Sequence, residues 1–255
     1  MSNKYWENRE IQRRKYALDR AISQLNEELK RCYQYTTERI LRDIEKLYIE
    51  IMEDSDGKVL VSHLYSYNRY YELLNNINTE LRKLGLKEQV FMKQELERVY
   101  IQNQAIIGAS FNLSSEINYQ EVEMAINDIW LNDGKNWSDR IWADKEKLSE
   151  RLRENIIDCL AAGASPARLE KELITSFNVS FHNAQTLART ELAHIQNVST
   201  LDKYKKDGIE EVRILVDKNC CDECNENKGK IFPVIDAPTL PIHPNCKCTY
   251  VAIIK

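Results

Sequence analysis

The sequence is poor in the two residues that most often interrupt a helix, since its 255 residues include only seven glycines and five prolines. Every proline lies at or after position 166, so the first 160 residues contain none. Proline removes a backbone donor and clashes with the preceding turn, which is why helices usually end near it. The first half of the chain is therefore predicted to be helical.

Long apolar runs and a basic excess are also missing. No stretch approaches the roughly 20 apolar residues that cross a bilayer, and the first residues lack the apolar core of a signal peptide. We therefore expect synthesis in the cytoplasm and no membrane partner. The 36 basic residues stand against 40 acidic ones, for a net charge of -4. Proteins that coat nucleic acid carry a positive excess, so any contact with DNA is expected to be local.

Apolar residues recur with a helical period near the N-terminus. From Leu18 to Ile51 they fall mostly three or four positions apart, which predicts one helix over about residues 4–53. At ~1.5 Å per residue this helix would be on the order of 75 Å long. It would suit a coiled-coil hairpin, an elongated partner, or packing against neighbours within the chain. Its first 20 residues hold six basic and three acidic side chains, and we interpret them as a solvated helix end.

Further elements follow from periodicity, caps and turn residues. Helices are predicted over about 62–84, 88–108 and 119–132, from Ser138 to near Gly163, from Ser165-Pro166 through Phe177, and over about 181–206. After Gly208 the period changes to alternation at Val212, Ile214 and Val216, and a second apolar, β-branched run covers 249–254. Both segments are predicted to be strands.

Five of the seven cysteines lie between positions 220 and 248. In a reducing compartment such crowding favours metal ligands over disulfides. The spacing is Cys221-x2-Cys224, eighteen further residues, and then His243-x2-Cys246-x-Cys248. Two short turns that each supply ligands, joined by a hairpin, are typical of a tetrahedral zinc site. We predict a structural zinc ion held by four of these five residues: Cys221, Cys224, His243, Cys246 and Cys248.

The spacing leaves the ligand set open. We expect Cys246 and Cys248 to point to opposite faces of a strand, so that one or both complete the shell. Cys220 duplicates its neighbour and is the weakest choice, although Cys220-x3-Cys224 also fits. Free buried thiols, a nucleic-acid zinc knuckle and a thiol hydrolase are the alternatives. Residues 202–230 hold seven basic and eight acidic side chains, which disfavours the knuckle. The sequence shows no third residue that would orient the general base of a thiol hydrolase, so no catalytic residue is nominated.

Together these patterns predict a mainly α fold. It would consist of an elongated helical body with a long N-terminal helix, followed by a small C-terminal β-containing unit organised by a Cys/His zinc-like site. The corresponding division of the chain is a long-helix region at 1–130, a helical core at 131–208 and the metal-stapled β unit at 209–255.

The order of motifs in the C-terminal third resembles the phage Mu F-like minor head protein family. The motifs are, in order, Ala188-Arg189-Thr190-Glu191, Asn197, Tyr204, Gly208, Cys221-x2-Cys224, Gly229-Lys230-x-Phe232 and Pro241-x-His243-Pro244-Asn245-Cys246-Lys247-Cys248. Upstream, Ser138-Asp139-Arg140-Ile141-Trp142 and Gly163-x-Ser165 resemble minor head proteins of phages or prophages of Gram-positive bacteria. The Cys220-Cys221 doublet departs from the family pattern, in which a single cysteine is usual.

The resemblance implies a low-copy structural component of a virion, in the capsid interior or at the portal vertex, made in the cytoplasm of a host bacterium. Its expected partners are the portal protein, the major capsid protein or a scaffolding protein, and a local contact with phage DNA stays open. It would assist head assembly, DNA delivery or both, without enzyme activity or a small-molecule substrate. A DNA-associated ejection protein is the alternative, and a metal-dependent hydrolase or nuclease is a weaker one.

Overall fold

A computed structural model of the chain describes residues 2–54, 68–111, 116–217 and 220–254. Within these ranges the fold is mainly α, with a long N-terminal helix and a small three-stranded sheet near the C-terminus. The helices are α1 Ser2–Asp54, α2 Arg69–Phe111, α3 Tyr119–Ile126, α4 Trp137–Ala161, α5 Pro166–Lys206 and the short α6 Asp222–Glu226. The strands are β1 Glu211–Leu215, β2 Ile231–Pro233 and β3 Thr249–Ile253, and a 3-10 helix, Val234–Asp236, follows β2.

The predicted fold class is confirmed, but several predicted helix boundaries are wrong. The regions expected at 62–84 and 88–108 form one helix, α2, from Arg69 onward, and residues 62–67 lie outside the described residues. The helix expected to start near 181 continues without a break from Pro166. The helix expected to reach residue 132 ends at Ile126, where the backbone N–H of Asn127 donates to the carbonyl of Glu123.

Gly85 lies inside α2, where the predicted helices were separated. A Cβ atom at this position would lie 2.8 Å from Cζ3 of Trp142 on α4. Glycine lowers helix propensity by about 1 kcal/mol relative to alanine, so it is unfavourable unless the backbone must approach a neighbour closely. The indole of Trp142 supplies that close approach, and Gly85 therefore marks a packing contact rather than a break.

Gly85→Ala is expected to lower the free energy of unfolding by about 1–3 kcal/mol, because the added methyl group overpacks the contact with Trp142. Denaturant unfolding followed by circular dichroism measures this change. In a Trp142→Leu background, which opens space for the methyl group, the same substitution should be neutral or stabilising through helix propensity. An equal loss of stability in both backgrounds would contradict the packing explanation.

The chain forms two compact units, and each is assembled from segments that are distant in sequence. The first unit comprises Met1–Asn26, Phe91–Trp137 and Thr186–Lys255, and the second comprises Glu27–Val90 and Ser138–Gln185. Helices α1, α2 and α5 therefore contribute residues to both units. The division into 1–130, 131–208 and 209–255 follows the order of the sequence and stays a prediction.

In the first unit the strands form an antiparallel sheet in the order β2-β1-β3. The predicted strands around Val212 and after Cys248 are confirmed as β1 and β3. Val212 and Ile214 of β1 are fully buried, as their alternation predicted. They join an apolar core with the following buried residues: Ile107, Tyr204, Cys224, Val234, Leu240, Cys246, Cys248, Tyr250 and Ala252.

Two charged residues of α1 are buried in the same unit. Arg14 and Glu10 are each 2% exposed, and Arg14 Nη1 lies 3.1 Å from Glu10 Oε1. Arg14 also donates to Thr249 Oγ1 at 2.7 Å and to the carbonyl of Tyr250 at 3.0 Å, both on β3. The expectation that the first 20 residues are a solvated helix end is therefore wrong at these positions. A buried guanidinium needs several acceptors, and only the folded chain supplies them.

The second unit contains a buried charged cluster, which we call the Lys145 cluster. It consists of Lys145 and Asp144 on α4, Glu88 on α2, Tyr33 on α1 and Ser180 on α5. Lys145 Nζ lies 3.0 Å from Glu88 Oε2, 3.1 Å from Asp144 Oδ2 and 3.2 Å from Ser180 Oγ, and it also bonds Tyr33 Oη. Burial lowers the pKa of Lys145, but the surrounding Glu88, Tyr33 and Asp144 raise it overall. The ammonium group therefore stays charged.

The sequence predicted no membrane-spanning helix. Across the described ranges, no helix combines the length and the apolar character needed to cross a bilayer.

Candidate metal centre

The first predicted ligand pair lies at the start of α6. Cys221 is the N-cap residue of this helix, and its Sγ accepts the backbone N–H of Cys224 at 3.5 Å. The backbone N–H of Asn225 then donates to the carbonyl of Cys221 at 2.9 Å, which closes the first turn. An N-cap residue followed by one helical turn brings positions i and i+3 to the same side. The Cys221-x2-Cys224 spacing thus places both sulfurs at one end of α6.

The second group of predicted ligands lies in a turn directly before β3. The backbone N–H of Cys246 donates to the carbonyl of His243 at 3.1 Å, and Asn245 has a φ of 63°, in the left-handed region. Asparagine tolerates this conformation better than most residues. Cys246 Sγ accepts the backbone N–H of Cys248 at 3.4 Å.

The expectation that Cys246 and Cys248 point to opposite faces is wrong, because residues two positions apart in an extended segment point to the same side. The strand β3 begins only at Thr249. The sulfurs of both residues, with that of Cys224, lie within 4.8 Å of one another, and all three residues are buried. Both sulfurs can therefore face the same ion.

The structure brings all five nominated residues into two overlapping triads of ligand atoms. One consists of Cys221, Cys224 and His243, and the other of Cys224, Cys246 and Cys248. His243 Nε2 lies 3.1 Å from Sγ of both Cys221 and Cys224, and Cys224 Sγ lies 3.5 Å from Cys246 Sγ. Cys224 belongs to both triads. These five side chains, which we call the Cys/His cluster, could hold a metal ion.

The orientation of His243 suits a metal ligand. Its Nδ1 lies 2.9 Å from the carbonyl oxygen of Pro244, and because a carbonyl only accepts, Nδ1 carries the proton. In the neutral ring Nε2 is then free of hydrogen, and it faces the sulfurs of Cys221 and Cys224. Histidine ligands in proteins usually donate their second ring N–H to a carbonyl or carboxylate in this way.

Protons are distributed unevenly over the sulfurs of the cluster. A hydrogen bond with Cys248 lowers the pKa of Cys246 to about 5, and the same bond raises the pKa of Cys248. Burial raises the pKa of Cys224 to about 12, whereas the backbone N–H of Cys224 lowers the pKa of the exposed Cys221. The hydrogen bond to the carbonyl of Pro244 raises the pKa of His243. Zinc binds thiolates, so an ion in this cluster would displace protons from buried thiols.

The other cysteines lie elsewhere. Cys220 packs against the apolar core of the first unit and belongs to neither triad, which agrees with its rank as the weakest choice. Cys32 and Cys159 belong to the second unit, where burial raises the pKa of both thiols.

Three residues beside the cluster were not nominated from the sequence. Thr190, His194 and Asn197 of α5 each form a hydrogen bond to the loop 237–248, which carries His243, Cys246 and Cys248. Thr190 and Asn197 had been noted only as parts of the family motif, and His194 had not been singled out. Their spacing of four and three residues on one helix face is the sequence signal that could have grouped them.

Residues 150–251 match the family model described as Phage Mu protein F like protein. The matched region contains α5 and all five residues of the Cys/His cluster, and the resemblance drawn from the order of motifs is confirmed. No curated protein and no solved structure matches the chain.

Proposed function

We propose that the chain is a minor head protein of a tailed phage or prophage, because residues 150–251 match the family model described as Phage Mu protein F like protein. In this role it is a low-copy structural component at the portal vertex or in the capsid interior. It assists head assembly, DNA delivery or both. The family match is the observation that carries the proposal, and the agreement in motif order over the same region supports it.

The proposed partner is another head protein, namely the portal, the major capsid protein or a scaffolding protein. Support comes from large apolar side chains that helices α1 and α2 leave about half exposed in the second unit: Tyr35, Ile49, Tyr71, Leu86 and Val90. Exposed apolar side chains are common singly, but Leu86 and Val90 lie one helical turn apart on the same face. Such a face is suited to contact with another protein.

Within this role we propose that the Cys/His cluster binds one structural zinc ion. Four protein ligands would close the coordination shell, and no position would be left for a substrate or a reactive water. When bound, zinc supplies folding energy to the segment that carries the cluster. The thiols and the imidazole Nε2 converge, and Nδ1 of His243 is bonded to the carbonyl of Pro244. Both observations support a site made from four of the five cluster residues.

A hydrolase has one point in its favour, because Cys221 Sγ and His243 Nε2 lie 3.1 Å apart, as a thiol nucleophile and its base would. The same nitrogen, however, lies equally close to Cys224 Sγ, and Nδ1 is held by the carbonyl of the next residue. A nitrogen shared by two sulfurs favours a metal shell over a nucleophile and its base. Metal-dependent cleavage of DNA that is lost in Cys248→Ser would instead support a nuclease.

The DNA-associated alternative depended on the basic residues at the start of α1. Arg14 is buried and its guanidinium contacts Glu10 and β3, so one of the six basic residues is not available to phosphates. A salt-dependent DNA mobility shift that disappears on deletion of residues 1–20 would favour an ejection protein.

Mass spectrometry of purified particles tests the proposed role. We expect peptides of this protein in mature virions or in prohead intermediates, at a small fraction of the molar amount of the major capsid protein. Cross-linking of the same particles should join residues near Leu86 and Val90 to a head protein. Particles from a phage that lacks the gene provide the control. Absence of the protein from both kinds of particle would contradict the proposal.

A further inference from the structure

We propose that Thr190, His194 and Asn197 are positioning residues, which hold the loop 237–248 in the conformation that binds the metal and thereby set the affinity of the Cys/His cluster. This inference rests on the proposed metal site. It assigns a role to three residues of α5 that the proposed head-protein function does not use.

The three residues form one continuous strip on α5. They are spaced by four and then three positions, which is the spacing of one helix face. All three are buried, with exposed fractions of 6%, 4% and 2%. Buried polar side chains are costly unless they are hydrogen-bonded, so their partners indicate what the strip does.

Thr190 holds the turn between His243 and Cys246. Its Oγ1 accepts the backbone N–H of Asn245 at 3.2 Å and donates to the carbonyl of Thr186 at 2.7 Å. Because the hydroxyl proton is used on the helix itself, a lone pair is left facing the loop. Asn245 has the left-handed backbone conformation that shapes this turn, so Thr190 stabilises the residue that determines the approach of Cys246.

Asn197 holds the end of the loop in the same manner. Its Nδ2 donates to the carbonyl of Ala193 at 3.0 Å and to the carbonyl of Cys248 at 3.1 Å. One bond fixes the amide group on the helix, and the other fixes the backbone of a cluster cysteine.

His194 holds the beginning of the loop. Its Nδ1 donates to the carbonyl of Leu240 at 2.9 Å. The imidazole stacks on Trp130, with ring centroids 4.2 Å apart and an angle of 11° between the planes. The indole Nε1 of Trp130 in turn donates to Glu191 Oε2 at 2.9 Å, so the ring on which His194 stacks is itself held by α5.

Together the three bonds fix the loop at positions 240, 245 and 248, on both sides of His243 and Cys246. They are made by protein groups alone, so they order the loop independently of the ion. Ordering a backbone residue costs about 1–2 kcal/mol, and a loop ordered in advance does not lose that free energy when the ion binds. The strip on α5 therefore raises metal affinity without supplying a ligand.

Titration with Co²⁺ as a spectroscopic probe tests this inference on the full chain. Charge-transfer and ligand-field bands report thiolate coordination, and competition with a chelator measures the affinity. Thr190→Val and Asn197→Leu are expected to weaken Co²⁺ binding by about 10–100-fold, the usual effect of removing a group that supports a ligand. Thr190→Ser keeps the hydroxyl and should retain the affinity of the unsubstituted protein.

Ser199→Ala is the matched control, because Ser199 is equally buried on α5 but donates to the carbonyl of Tyr100 on α2 at 2.8 Å. We expect it to lower stability without changing Co²⁺ affinity. Unchanged affinity in Thr190→Val and Asn197→Leu, or an equal loss in Ser199→Ala, would overturn the inference. If the unsubstituted protein bound no Co²⁺, the metal site and the inference would both be wrong. The virion experiment would still decide the head-protein role.

Discussion

Replacing Cys224 by serine is expected to abolish tight zinc binding and to unfold the short helix α6. Cys224 belongs to both triads of the Cys/His cluster, and its side chain is 2% exposed, so no nearby thiol can replace it without rearrangement of the loop. The apparent binding free energy of structural zinc in small peptides is on the order of 10 kcal/mol, and most of it would be lost. Elemental analysis measures the zinc, and hydrogen exchange locates the unfolded segment.

The helices of the second unit should keep their hydrogen-exchange protection in Cys224→Ser, because the cluster lies in the first unit. Cys220→Ser is the matched control, since this neighbouring residue belongs to neither triad and should leave one zinc ion per chain. Treatment of the unsubstituted protein with a chelator should reproduce the exchange pattern of Cys224→Ser. Full zinc content in Cys224→Ser, or loss of zinc in Cys220→Ser, would refute the assignment.

Lys145→Ala is expected to lower the free energy of unfolding by about 3–5 kcal/mol, the usual cost of removing one partner from a buried ion pair. Glu88, which is 1% exposed and lies 3.0 Å from Lys145 Nζ, would lose its cation. Asp144 would also lose a partner, although the amide of Asn183 still donates to it at 2.8 Å. Urea unfolding, followed by circular dichroism, measures the change.

The double variant Lys145→Met with Glu88→Gln separates charge from packing. It removes both buried charges and keeps most of the side-chain volume, so it should recover a large part of the lost stability. Arg31→Ala is the surface control, because Arg31 and Glu28 form a pair whose side chains are 69% and 44% exposed. That substitution should change the free energy of unfolding by less than about 1 kcal/mol. Equal instability of the single and double variants would contradict the electrostatic explanation.

The Lys145 cluster also explains why a helical unit contains so many buried polar groups. Its members come from α1, α2, α4 and α5, and each helix supplies at least one. A shifted helix would leave a buried charge or hydroxyl without a partner, at a cost of several kcal/mol. The cluster therefore specifies how these four helices align, whatever its net contribution to stability.

Several features of this protein were determined by the sequence alone, because they depend on residues close together in the chain. The apolar period predicted α1, the Ser165-Pro166 pair predicted the start of α5, and Gly208 predicted its end. Cap preferences, the fixed φ of proline and the left-handed φ of glycine act locally, so they can be recognised without the fold. The spacing within each of the two ligand groups is also short, and it predicted which residues would come together in the cluster.

Other features were decided by the tertiary structure. The two helices predicted before and after Gly85 form one helix, in which Gly85 packs closely against Trp142. Arg14 was expected in a solvated helix end, but it finds its acceptors on β3. Arg14 and Tyr250 are separated by 236 positions. The meeting of Cys246 and Cys248 with Cys224, which lies 22 positions before Cys246, also depends on the fold.

The positioning role of Thr190, His194 and Asn197 belongs to the same group. Each of these side chains bonds a backbone group at least 46 positions away in the chain. A buried polar group is stable only with partners, and those partners are brought to it by the packing of distant segments. The sequence alone was thus sufficient to predict which residues come together in the Cys/His cluster, whereas the residues that bond the neighbouring loop became visible only in the folded chain.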